Sequence, residues 1–139
     1  MTTAQHGSGF TVTGIDHVVL RVRDLDASLD FYTRVLGCPV ERRRDDLGLI
    51  QLRAGASLID LVPVDGVIGK RGGDAPGPDA HNMDHLCIRI AAFDPEQARD
   101  HLRRNGVEVE SEGVRYGASG NGMSFSITDP DGNGIELRA

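Results

Sequence analysis

The chain is short of several things that would narrow its class at once. Among 139 residues there are two cysteines, no tryptophan, two tyrosines, four phenylalanines and six prolines. Cys38 and Cys87 make neither a disulfide framework nor a CxxC metal pair. No apolar run reaches the length of a membrane span. Residues 1–13 lack both a basic start and an apolar core, so no secretory signal is read there and a cytoplasmic setting is expected. A basic face is missing too: with 15 Lys and Arg against 21 Asp and Glu, the net charge is −6. That argues against nonspecific nucleic-acid binding. The one basic run, Arg42-Arg43-Arg44, is answered by Glu41, Asp45 and Asp46 and reads as a solvated strand edge. Glycine, at 18 residues, is abundant and implies many tight turns between short strands.

What the chain does contain is a repeat of itself. "IDHVVLRVRDLDASLDFYTRVLGCPVE" from residue 15 matches "MDHLCIRIAAFDPEQARDHLRRNGVEVE" from residue 83. Asp16 pairs with Asp84, His17 with His85, Arg21 with Arg89 and Asp26 with Asp94, and Gly37 meets Gly106 after a one-residue slip. Both copies open on an alternating strand. His17, Val19 and Arg21 share one face in the first, and His85, Cys87 and Arg89 in the second. Asp26 and Asp94 read as helix N-caps, the second followed by Pro95. The pattern predicts helices over about 27–36 and 95–105. Strands follow at about 39–45, 48–54 and 57–64, then at about 107–112, 122–128 and 134–138. "DPDGNG" marks the last turn.

The expected fold class is α+β: two repeated βαβββ modules forming a curved mixed sheet or cup. A flexible tail covers 1–13, the first module 14–64, a Gly- and Pro-rich linker 65–82, and the second module 83–139. Half-barrels of this size bury little core alone, so the two are expected side by side as one domain.

Four residues stand at repeat-related positions on the strands. His17 and His85 lie on the first strand of each module; Asp60 in "LIDLV" and Glu136 in "GIELR" lie on the last. A single strand histidine is more often structural than a ligand, but here the pattern recurs with an acid each time. Two imidazoles and two carboxylates suit Ni, Zn, Mn, Co or Fe(II). Coordination positions left over would receive a substrate's oxygens, and Asp60, a methylene shorter than glutamate, binds through water or stands back as a base. Arg21 and Arg89, on the histidine face, are read as closing the barrel end or binding an anion. Arg115 and Tyr116, in the glycine-rich stretch 114–124, are candidate substrate contacts at the rim. Cys87 reads as a small buried hydrophobe. Ser28, Ser111 and Ser119 show no nucleophile elbow, and His6, His81 and His101 receive no role.

The paired modules, with "DHVVLRVRDLDASLDFYTRVLG", "MDHLCIRI" and "DPDGNGIEL", resemble the vicinal oxygen chelate superfamily. Its members include glyoxalase I, extradiol dioxygenases, fosfomycin-resistance transferases and metal-free bleomycin-resistance proteins. The resemblance spans about 14–138 and is nearest to small lactoylglutathione lyase-like proteins. It implies a divalent metal at His17, His85 and Glu136, with Asp60 where glyoxalase I carries a glutamate. It implies a metal-dependent lyase or isomerase acting on a small substrate chelated through vicinal oxygens, with Glu136 or Asp60 as the carboxylate that moves a proton. The alternatives are an Fe(II) ring-cleaving dioxygenase, for which His17, His85 and Glu136 suffice, and a non-catalytic binding protein. A homodimer is expected, with the cup closed within one chain or between two, and neither nucleic acid nor membrane as partner.

Overall fold

The computed structural model describes residues 9–139; His6 and the first part of the 1–13 tail lie outside them. Each copy of the repeat builds its own four-stranded mixed sheet. In the first, β1 (His17–Val22), β2 (Val40–Arg44), β3 (Leu49–Ala54) and β4 (Ser57–Pro63) are ordered β1-β4-β3-β2. In the second, β5 (His85–Arg89), β6 (Ser111–Gly117), β7 (Gly120–Thr128) and β8 (Gly134–Arg138) are ordered β5-β8-β7-β6. The outer strand of each sheet runs parallel to its neighbour, β1 beside β4 and β5 beside β8, and the other pairings are antiparallel. The cup is therefore not closed within the chain. β1 and β5 are each an edge strand whose outer row joins no further strand among the described residues, and on β1 the Arg21 carbonyl accepts from the Asn82 amide.

One core joins the modules. Leu20, Val22, Leu52, Ile59 and Leu61 of the first sheet and Phe125, Ile127, Ile135 and Leu137 of the second bury in one cluster with residues of a helical layer. That layer contains α1 (Leu25–Asp30), a π-helical turn (Phe31–Val35) and α2 (Pro95–Arg104). The first helix starts earlier than its sequence suggests. Asp24, in extended backbone, caps it through a bond from Ala27 N, which leaves Asp26 in the first turn. Asp94 caps α2 as expected, accepting from Glu96 N and Gln97 N. His101 of α2 meets the Val35 carbonyl at 2.7 Å, tying α2 to the π-helical turn.

The turn "DPDGN" does more than reverse the chain. Asp129 Oδ1 accepts from the backbone N–H of Asp131 and Asn133, and its Oδ2 accepts the Tyr32 hydroxyl at 2.6 Å. Asp131 accepts from Arg23 N, Arg23 Nε and the Ser28 hydroxyl. Ser28 is thus spent on structure, and the β7–β8 turn clasps the first module to the second.

Two other expectations change. Residues 107–110 lie outside the strands, and the glycine-rich stretch 114–124, read between strands at 107–112 and 122–128, is itself mostly strand and forms most of the β6–β7 hairpin. Its glycines hide the strand from sequence patterning because they contribute no alternation. The linker 65–82 also gains structure: a short 3₁₀ turn at Gly69–Gly72 is held by Arg21. The guanidinium donates to the carbonyls of Gly69, Gly72, Gly73 and Asp74.

Candidate functional site

Strand register places the four repeat-related residues. In the first sheet Val19 lies beside Asp60, and in the second Cys87 lies beside Glu136. The two acids therefore occupy equivalent places, each one step along its sheet from the histidine two residues earlier on the outer strand. His17 Nε2 stands 4.0 Å from Asp60 Oδ2, and His85 Nε2 stands 3.4 Å from Glu136 Oε1. The two pairs stay apart within one chain: among the described residues no group of three or more His, Cys, Asp and Glu could hold a metal ion. The expected convergence of all four does not occur inside a single protomer, because each pair sits on its own sheet.

Both imidazoles are oriented by the residue before them. His17 Nδ1 lies 2.7 Å from Asp16 Oδ1, and His85 Nδ1 lies 2.6 Å from Asp84 Oδ2. A carboxylate can only accept here, so Nδ1 is the donor, and a ring that carries only that proton presents its Nε2 lone pair toward Asp60 or Glu136. This is the arrangement that readies an imidazole as a ligand. The Asp16 hydrogen bond, helped by the Asp60 charge, raises the His17 pKa above its ordinary value.

The acids are more sheltered than the histidines. The Asp60 side chain is 5% exposed and that of Glu136 17%, against 45% and 50% for His17 and His85. Among the described residues neither acid is paired with a Lys or Arg. Asp60 instead receives the Gln51 amide, Nε2 lying 3.3 and 3.2 Å from its two oxygens. Sequence reading missed Gln51. Hairpin arithmetic could have found it: once Ala54 faces Ser57, Gln51 must face Asp60. The donor set suits a divalent cation, with two imidazole nitrogens and two carboxylates that, among the described residues, lack a Lys or Arg partner.

The remaining candidates separate by face. In the register of β6, β7 and β8, Arg115, Gly122, Ser124, Ser126, Arg138 and Glu136 fall on one side. Tyr116 falls on the other, with Met123 and Phe125, and is 84% exposed. Of the two candidate substrate contacts, only Arg115 shares the Glu136 face. Arg89 lies beside Arg138 on that face. Cys87, expected to be buried, is exposed. Its thiol pKa is raised by partial burial and by Glu136, with opposing pulls from Arg138 and Arg89.

Residues 14–137 match the family described as the Glyoxalase/Bleomycin resistance protein/Dioxygenase superfamily. The chain is 33% identical over 124 residues to the virulence protein STM3117 of Salmonella typhimurium, covering 88% of this chain and 81% of that one. The crystal structure of STM3117 superposes with a TM-score of 0.74 over 93% of this chain and 98% of its own. The glyoxalase domain-containing protein RDO1 of Mycosarcoma maydis is 29% identical over 132 residues, covering 91% of this chain and 68% of RDO1. Two repeated modules, their mixed sheets and a family match over nearly the whole chain agree, and the chain belongs to the glyoxalase/bleomycin resistance protein/dioxygenase superfamily.

Proposed function

We propose that this protein is a metal-dependent lyase or isomerase of the glyoxalase kind, working as a homodimer on a small substrate with neighbouring oxygens. One site would combine His17 and Asp60 of one protomer with the partner's His85 and Glu136. The observation that carries this reading is the pair of half-sites. Each holds one oriented imidazole and one sheltered carboxylate on an exposed sheet face. Each is too small to hold a cation alone. The outer edges of β1 and β5, which join no further strand among the described residues, supply the means of joining. If β1 of one chain docks beside the partner's β5, both half-sites face one cup, and two-fold symmetry makes a second cup from the same contacts.

A divalent ion held there supplies Lewis-acid polarisation of a carbonyl or enediolate oxygen. The protein's own groups do the rest. Glu136 takes a proton from carbon and returns it to the neighbouring carbon. Asp16 and Asp84 hold the two imidazoles in the tautomer that leaves Nε2 free. Gln51 fixes the Asp60 carboxylate.

The test combines binding with exchange. Purified protein is titrated with Ni, Zn, Mn, Co or Fe(II) and assayed by elemental analysis, expecting one ion per protomer. The loaded protein is then incubated in D2O with α-hydroxycarbonyl compounds and followed by NMR. Deuterium entering at the carbon next to the carbonyl, and abolished by Glu136→Gln, is the expected result. Absence of stoichiometric metal contradicts the proposal, as does exchange that survives Glu136→Gln.

The Gln51 amide across both oxygens of Asp60 favours a second reading, in which Asp60 stands outside the ligand set. His17, the partner's His85 and Glu136 then form the two-histidine, one-carboxylate set of an Fe(II) dioxygenase. A ring-cleaved product from catechol with anaerobically loaded iron distinguishes it.

A further inference from the structure

The second sheet differs from the first beside the acid. Two residues beyond Asp60 the first sheet places Val62, 1% exposed, next to Arg21. Two residues beyond Glu136 the second sheet places Arg138, 4% exposed, next to Arg89. Arg21 is spent on four linker carbonyls. The fold of the repeat does not itself require arginine at the second position, since valine serves in the first copy.

Arg138 is accommodated deliberately. A Cβ on Gly117 would overlap its Nη1, and one on Gly122 would come within 2.7 Å of its Nη2. The guanidinium thus lies across a strip of the β6–β7 hairpin that glycine keeps clear. Its partners are main-chain oxygens: Gly120 O at 2.8 Å and Ala139 O, of the last residue, at 3.2 Å. Arg89 Nη2 donates to the Ser119 hydroxyl at 2.8 Å, and Arg115, on the same face, donates to Val114 O at 3.2 Å. Among the described residues none of these three arginines pairs with an Asp or Glu side chain, whereas Arg23, Arg34, Arg43, Arg44, Arg53, Arg99 and Arg103 do. In a chain of net charge −6, three guanidiniums on one sheet face with no acidic side chain on them concentrate positive potential where the average is negative.

We infer that Arg89 and Arg138, with Arg115 at the rim, form an oxyanion subsite beside Glu136 that binds a carboxylate or phosphate group of the substrate. Two residues along a strand span roughly 6–7 Å. The substrate is therefore small and two-ended. Its neighbouring oxygens lie toward His85 and Glu136, and its anionic group lies about one such step away. The placement of the oxygens rests on the function proposed above; the anion subsite itself does not.

The experiment uses chelator-treated protein, so that a metal cannot bind the probe. Inorganic phosphate and, separately, acetate are titrated while the arginine side-chain Nε–H signals are followed by 15N–1H NMR. The expected result is a saturable shift confined to Arg89, Arg138 and Arg115, with binding at least tenfold weaker in Arg89→Gln and in Arg138→Gln. Arg103→Gln, on α2, should bind as the wild type does. Whichever of phosphate and acetate binds more tightly assigns the group. Should Arg138→Gln not fold, Arg89→Gln decides, since Arg89 is exposed. No saturable shift, or equal small shifts of all arginines, overturns the subsite. His85→Ala should lose metal yet keep phosphate, so failure of the metal reading and failure of the subsite give different results.

Discussion

The Tyr32 hydroxyl, in the first module, donates a 2.6 Å hydrogen bond to Asp129 in the last turn of the second. Both groups are buried. With Ser28 and Arg23 on Asp131, this bond makes the union of the modules depend on polar groups as well as on core packing. Removing the donor leaves a buried carboxylate with one partner fewer. Tyr32→Phe should cost about 1–3 kcal/mol in urea-induced unfolding. An unchanged midpoint would show that the clasp is not under load.

The same bond sets a response to alkali. Burial first, and then the Asp129 charge, pushes the Tyr32 phenol well above its ordinary value. A raised folded-state pKa means stability that is fully present below the unfolded value of about 10 and is lost as pH climbs above it. In Tyr116→Phe protein, where Tyr32 is the one tyrosine left, phenolate absorbance should appear only together with unfolding. Tyr32→Phe should flatten the loss of stability between pH 9 and about 11. Phenolate absorbance in protein still folded would contradict this.

Arg21 should govern the linker. Its bonds to four carbonyls hold residues 69–74 against β1. In Arg21→Ala, trypsin should cut after Lys70 or Arg71 at least several-fold faster than in wild type, because local opening is what admits a protease. Equal rates would show that the linker is held by other contacts.

Asp60 separates the two readings of the site. If it is a ligand, Asp60→Ala should weaken metal binding about 10-fold or more, and Gln51→Leu by less, as an orienting residue. Full affinity in Asp60→Ala would remove the four-ligand lyase version and leave the two-histidine, one-carboxylate set.

The repeat, the alternating first strands and the two His–acid pairs were legible because each rests on local periodicity and on a comparison of the chain with itself. Register then follows from turns, which is why Gln51 opposite Asp60 was within reach of the sequence. The clasp was not. Asp129 and Asp131 read as turn residues, and nothing local reveals that Tyr32, 97 positions away, donates to one of them. The β6–β7 hairpin was hidden for a different reason. Glycines at 113, 117 and 122 leave no side-chain alternation to see, yet two of them make room for Arg138. Arg115 and Tyr116 looked like one rim because they are neighbours; the pleat sends them to opposite faces.

The central claim is that each metal site draws His17 and Asp60 from one protomer and the partner's His85 and Glu136. Mixing refolded His17→Ala and His85→Ala proteins tests it most directly, by metal content after gel filtration. Each variant alone should bind almost no metal. In the mixture, half the dimers are heterodimers and one of their two sites keeps all four ligands, so about a quarter of the wild-type content should return. Heterodimers that form without any recovery of metal would contradict the account.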